Sequence, residues 1–178
     1  MSSSRPEEST DIRATFEQWA HERPELELST LNFSITVLRL AKIIEDDFDK
    51  RCRAQHDLGA NDVRVLLALR RSGDRYMLRP TDIFQSLLIT AGAVTKQVDR
   101  LSARGLVRRR PDPAHAGGTL VQLTAKGIAM ADDIVNMVAG EGHIHEALTG
   151  LPQSQRNKSL DLLLKLLDKL SEQRTAHP

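Results

Sequence analysis

Residues 106–123 hold two short β-prone runs, Leu106-Val107-Arg108-Arg109-Arg110 and Thr119-Leu120-Val121-Gln122-Leu123. Between them lies Pro111-Asp112-Pro113-Ala114-His115-Ala116-Gly117-Gly118. Two such runs around a Pro/Gly loop predict a hairpin. On both sides of it, apolar residues recur at helical spacing instead. The order of elements is the strongest constraint on the fold: mainly α, with one small β-hairpin.

The helical segments have readable ends. Residues 11–21 predict a short helix with Ile12, Phe16 and Trp19 on one face, ended by Pro24. Ser29 is the expected N-cap of a long helix to about residue 55, carrying Phe33, Val37, Leu40, Ala41, Ile44 and Phe48. Residues 60–71 form the next helix, with Val63, Leu66, Leu67 and Leu69. Pro80 suits the first position of another, with Ile83, Leu87 and Leu88, because its missing N–H would be unpaired there. Thr90 is the expected cap of a fourth, closed at Gly105. Thr124 caps a helix over 125–139, and Pro152 opens a last one to about residue 173. Residues 1–10 are Ser/Glu/Pro-rich and expected to be disordered.

Helix, helix, helix, hairpin, helix over about 60–140 is a winged helix, whose helix-turn-helix pair starts at Pro80 and Thr90. Val94, Val98 and Leu101 would pack inward at i, i+4, i+7. The opposite face carries Gly92, Lys96, Asp99 and Ala103, flanked by Thr95 and Arg100. A small, polar, basic face is what a helix entering the major groove needs. Lys96 and Arg100 are expected to donate to guanine O6 and N7. Asp99 is expected to accept from cytosine or to orient Arg100. Thr90 and Thr95, with the helix N-terminus, can bind phosphate. Arg108, Arg109 and Arg110 put three adjacent charges on the wing; Arg108 and Arg110 share one face.

Charge distribution agrees. Over residues 79–126, eight Lys/Arg stand against three Asp/Glu, giving +5; over residues 1–60, eight stand against twelve, giving −4. A basic middle third in a chain of net charge +1 points to a polyanion partner.

Leu78-Arg79-Pro80-Thr81-Asp82-Ile83, Thr95-Lys96-Gln97-Val98-Asp99-Arg100-Leu101, Arg104-Gly105-Leu106-Val107 and Leu120-Val121-Gln122-Leu123-Thr124-Ala125-Lys126-Gly127 resemble the MarR family in order and spacing, over about residues 30–172. The resemblance implies a homodimer, held by intertwined N- and C-terminal helices, that binds a pseudopalindromic operator in double-stranded DNA. Arg79 and Thr81 join the expected DNA contacts on this basis. The last helix agrees independently, since Leu160, Leu163, Leu164, Leu166, Leu167 and Leu170 cover more than one face. The expected organisation is an N-terminal extension over 1–28, a helical dimerisation region over 29–58 and 143–178, and a winged helix-turn-helix over 59–142. The wing tip departs from the family: His115 and Gly117 stand where it has an acid and an arginine.

The family resemblance implies a transcriptional regulator, expected to be a repressor released by a small aromatic or anionic molecule. Trp19 in an extra first helix resembles the urate-responsive branch, and Arg108 matches a ligand-binding arginine of that branch. Arg64 stands where the branch has Asp, and Gln97 where it has Arg. Arg39 and Arg64 are arginines on apolar helices that can bind a carboxylate; each has a local acid, Asp46 or Asp62, as the alternative partner. A thiol-responsive alternative rests on Cys52, flanked by Arg51, Arg53, Asp47 and Asp49. A metal-responsive one rests on His143 and His145 near Glu141 and Glu146, which lack Cys/His ligand spacing. A winged helix used only for protein contacts is a further alternative, opposed by the basic outer face.

No Gly-rich phosphate loop, nucleophile elbow or paired-His motif suggests an enzyme, and no cofactor is expected. No run approaches eighteen apolar residues, so no membrane span is expected. The N-terminus lacks an apolar signal core, and one cysteine cannot build a disulfide framework; both predict a cytoplasmic protein.

Overall fold

The computed structural model describes residues 11–87 and 90–176; residues 1–10 and Leu88, on which two expectations fell, lie outside them. The chain divides into two units, residues 1–46 and 47–178.

The first unit holds α1 (Ile12–Glu22) and the N-terminal part of α2 (Ser29–His56). Asp11 caps α1, its carboxylate accepting the Arg13 N–H at 2.9 Å. Ser29 is the first residue of α2 rather than its cap. Its N–H and hydroxyl both donate to the Glu27 carboxylate, at 2.9 and 2.8 Å, so a longer acid two residues upstream satisfies the helix start. Large apolar side chains on this part of α2, Phe33, Leu38, Leu40 and Ile43 among them, are exposed.

The second unit begins with the end of α2. It continues with α3 (Ala60–Arg70), β1 (Met77–Leu78), α4 (Pro80–Leu87), α5 (Ala91–Ala103), β2 (Val107–Pro111), β3 (Thr119–Leu123), α6 (Ala125–Gly140), α7 (His143–Thr149) and α8 (Gln153–Ala176). The fold is mainly helical with one small antiparallel sheet, ordered β1-β3-β2. The hairpin pairs Val107 with Leu123, Arg108 with Gln122 and Arg109 with Val121. Strand β1 is not expected from the sequence. Met77 and Leu78 are extended because they find Gln122 and Val121 across β3, a pairing no local pattern announces.

The core sits between α3, α5, α6 and the sheet. Val63, Leu66, Leu69, Ile83, Leu101, Leu106, Val121 and Ile134 have no exposed surface. Each buried side chain of this size contributes about 1.5–3 kcal/mol over leaving it wet. The joint between wing and α6 is tight. Thr124 accepts the Gly127 N–H at 3.0 Å, its own N–H donates to Leu106 O at 3.1 Å, and its hydroxyl donates to Gly105 O at 2.7 Å.

Arg51 closes the C-terminal end of α6. Its guanidinium donates to Glu141 O and to Met137 O, two carbonyls the helix leaves open. Gly142 follows at φ +95°, where a Cβ would strike Arg51. The chain then turns into α7, a short helix that the residue pattern around Gly140-Glu141-Gly142 does not define.

Candidate nucleic-acid interface

Helix α5 is held at both ends by its own sequence. The Thr90 hydroxyl accepts the Ala93 N–H at 3.3 Å. At the far end Gly105 adopts φ +69°; its N–H donates to Ser102 O and the Leu106 N–H to Leu101 O, both at 2.9 Å. This pair of bonds needs a left-handed residue, which glycine supplies without strain. Val94, Val98 and Leu101 are buried, as their spacing requires, so the opposite face must point out. Gly92, Thr95, Lys96, Asp99, Arg100 and Ala103 are all exposed there. A Cβ on Gly92 would meet nothing within 4 Å. Nothing inside the chain requires a small residue at that place, so its smallness matters to whatever approaches from outside.

The charged residues of this face divide into tied and untied. Arg100 was expected to donate to a base. Its fork is instead taken by Asp62, in the first turn of α3: Nη2 lies 2.6 Å from Oδ1 and Nε 3.1 Å from Oδ2. A paired arginine of this kind holds α5 against α3. Asp99 was expected to meet a cytosine or Arg100. It accepts from Arg109 Nη2 at 2.7 Å, across to the wing. Lys96 is exposed and has no protein partner among the described residues.

Strand alternation sorts the wing arginines. Arg109 faces α5, while Arg108 and Arg110 share the outer face and both donate to the Gln122 amide oxygen, at 3.0 and 3.3 Å. Arg79, ahead of α4, is drawn into the wing loop, with Nε 2.7 Å from Asp112 Oδ2. Thr81, on the first turn of α4, is exposed. The Asp112 carboxyl is held below the usual carboxylate range, first by the Ala114 N–H and then by Arg79. A depressed value means that this clamp stays charged at neutral pH and is lost only as pH falls through it. Asp62, Asp112 and Gln122 were not among the expected site residues. Their partners lie 38, 33 and 14 residues away in sequence, beyond any local pattern.

A profile of the MarR family matches residues 56–116. The transcriptional regulator PecS of Dickeya dadantii is 31% identical over 125 residues, 70% of this chain and 75% of PecS. The chain belongs to the MarR family. The multiple antibiotic resistance protein MarR of Escherichia coli is 30% identical, over 61% of this chain and 72% of that protein. A MarR variant from the same organism, solved with operator DNA, superposes with a TM-score of 0.60 at 27% identity, covering 76% of this chain and 96% of that one. AbsC of Streptomyces coelicolor shares the fold with a TM-score of 0.72 at 18% identity, over 85% and 98% of the two chains. This MarR-family chain is accordingly a winged-helix transcriptional regulator.

Sensing candidates differ in what surrounds them. An open pocket of about 610 Å³ lies against α3, α4 and α6. Leu67, Ala68, Leu87 and Val135 line it with apolar surface; Arg64 and Arg71 supply charge. Arg64 donates to Asn61 at 3.0 Å and sits over the Phe48 ring at 5.8 Å, while Arg71 donates to Ser86 Oγ at 2.6 Å. The acids that sequence proximity offers the two helix arginines are engaged elsewhere: Asp62 pairs with Arg100 and Asp46 with Lys42. Arg39 is half-buried on α2, and Trp19 is 44% exposed on α1. Gln97, where the urate-responsive branch has arginine, is buried on α5.

Cys52 has no exposed surface, and burial followed by the nearby Asp49 pushes its thiol up to about 11. At neutral pH the nucleophilic thiolate is therefore scarce as well as shielded. Cys52 is expected to react with an aromatic disulfide reagent only at the rate of unfolding, and stoichiometrically in denaturant. Rapid labelling of native protein would restore the thiol-sensing alternative. His143 lies 3.2 Å from Asp47 and is 82% exposed, and no group able to hold a metal ion occurs among the described residues.

Proposed function

We propose that the protein is a homodimeric repressor that places α5 in the major groove of a pseudopalindromic operator and is released by a small aromatic or anionic molecule. The observation that carries the DNA half is the exposed face of α5. Lys96 projects from it unpaired, Gly92 leaves room beside it, and the arginine wing stands next to it. In this reading Lys96 donates to a guanine edge, with Thr90 and Thr95 on phosphates. Arg100 acts by fixing α5 on Asp62, and Asp99 by fixing Arg109. Likeness to the Escherichia coli MarR variant solved with operator DNA supports the same reading.

Arg108 and Arg110 bind phosphates in this reading. Replacing either by alanine is expected to weaken all duplexes alike and to flatten the salt dependence by about one unit for each phosphate no longer neutralised. Fluorescence anisotropy against salt concentration checks this. A loss confined to one base position, at unchanged slope, would assign the wing arginines to sequence reading instead.

The dimer is supported by apolar surface that the chain leaves uncovered. Leu160, Leu162, Leu163, Leu164, Leu167 and Leu170 of α8 are between 40 and 60% exposed. The effector is supported by the pocket against α3, α4 and α6: an apolar floor suits an aromatic ring and an arginine rim suits a carboxylate. Trp19, Arg39 and Arg108 are further candidate contacts from the family resemblance. A thermal-shift screen of aromatic acids and purines tests this half. A hit whose effect survives Arg64→Ala and Arg71→Ala would move the effector out of this pocket.

A further inference from the structure

Three residues far apart in sequence meet at the outer end of the wing. The Asp112 side chain is 4% exposed and closes the loop from within: Oδ1 accepts the Ala114 N–H at 2.9 Å, and Oδ2 accepts Arg79 Nε at 2.7 Å. The loop is drawn tight around it. Asp112 N–H donates to Gly118 O and Gly118 N–H to His115 O, both at 2.9 Å, and a Cβ on Gly118 would come within 3.0 Å of Asp112 and of the His115 carbonyl. Arg79 then turns its Nη2 to His115 Nδ1, at 2.9 Å. A guanidinium has donors only, so at that distance Nδ1 is the acceptor and the ring proton sits on Nε2. The ring is 61% exposed, and Nε2 has no partner among the described residues.

We propose that His115 is a neutral donor by which the wing tip reads acceptor atoms of A·T pairs in the DNA minor groove, with Arg79 and Asp112 as the residues that position it. The inference rests on the DNA-binding reading above. A neutral imidazole has no charge to draw it to phosphate, and Arg79, the cation beside it, is offset by Asp112. What remains is one directed N–H at the end of a narrow hairpin. The minor groove of A·T pairs offers only acceptors, adenine N3 and thymine O2, whereas G·C adds a donor, the guanine 2-amino group. A single outward donor discriminates between those two cases. The same clamp gives Arg79 a task other than touching DNA.

The test starts from a duplex selected by wild-type protein out of a randomised pool, with A·T steps at the wing positions replaced by G·C or by inosine·C, which lacks the 2-amino group. His115→Ala should weaken binding about three- to tenfold, as expected for one hydrogen bond, with the salt slope unchanged. Wild type should lose as much on G·C and nothing on inosine·C, and His115→Ala should be indifferent to the swap. His115→Gln, which can accept from Arg79 through its carbonyl and donate through its amide, should recover most of the loss. Long-range 1H–15N spectra of the free protein at neutral pH should show the Nε2–H form, with Nδ1–H appearing in Asp112→Asn. Full affinity in His115→Ala, a salt slope lower by one, or an Nδ1–H ring in wild type would overturn the inference alone. Wild-type protein that selects no duplex would remove the DNA-binding reading and this inference with it.

Discussion

Gly127→Ala is expected to cost about 3 kcal/mol or more, a large share of the stability of a domain this size. In an open helix the same change would stabilise by about 1 kcal/mol, because alanine loses less backbone freedom than glycine. Here the sign is set by space. A Cβ at Gly127 would lie 2.0 Å from the Leu106 carbonyl oxygen and 3.2 Å from Leu123 Cδ2. That oxygen is fixed, since it accepts the Thr124 N–H at 3.1 Å and receives the Thr124 hydroxyl at 3.2 Å. Relief requires α6 to move off the wing, which opens the core at Leu106, Leu123 and Ile134. Urea unfolding of Gly127→Ala should show a much lower midpoint at similar slope. A variant as stable as wild type would mean that α6 and the wing are not packed this closely.

Removing residues 156–178 should abolish binding to a full operator while leaving the helix-turn-helix intact. Leu163, Leu167 and Leu170 recur on α8 at i, i+4, i+7 and are 40, 60 and 57% exposed in the single chain. Each leucine buried against a second copy contributes about 1.5–3 kcal/mol, so several together outweigh the cost of association. Two winged domains must also sit about 34–36 Å apart to meet successive major grooves on one face of DNA. Sedimentation of the truncated protein should show monomer, and anisotropy should show only weak, salt-sensitive binding. Leu167→Glu in the full chain should act in the same direction. A soluble monomer that binds the full site as tightly as before would refute the dimeric reading.

What could be read in the sequence was local. Thr90, Thr124 and Gly105 end helices through bonds to residues within four positions, so their types announced them. Val94, Val98 and Leu101 went inside because a 3.6-residue period leaves them no other face. The hairpin placed Arg108 and Arg110 together by alternation alone. Ser29 misled because Glu27, a poorer cap by type, bonds to it first. The charged pairs were hidden for a different reason. Sequence proximity pairs Asp62 with Arg64, its neighbour by two, but the fold brings it to Arg100, 38 residues on. Asp112 meets Arg79, and Asp99 meets Arg109, only once wing, α4 and α5 share a core. The residue types on the interface were therefore legible, whereas their division into contacts and supports was not.

The central claim is that the α5 face reads base sequence through Lys96. Wild-type protein and Lys96→Ala, both shown to be folded and of the same oligomeric state, should be compared by anisotropy on the selected duplex and on a scrambled one. The expected result is a loss of about 1–3 kcal/mol on the selected duplex for each lysine–base hydrogen-bonded pair removed, and little change on the scrambled one, so that the preference between them collapses. Lys96→Ala that keeps wild-type affinity and wild-type preference would contradict it.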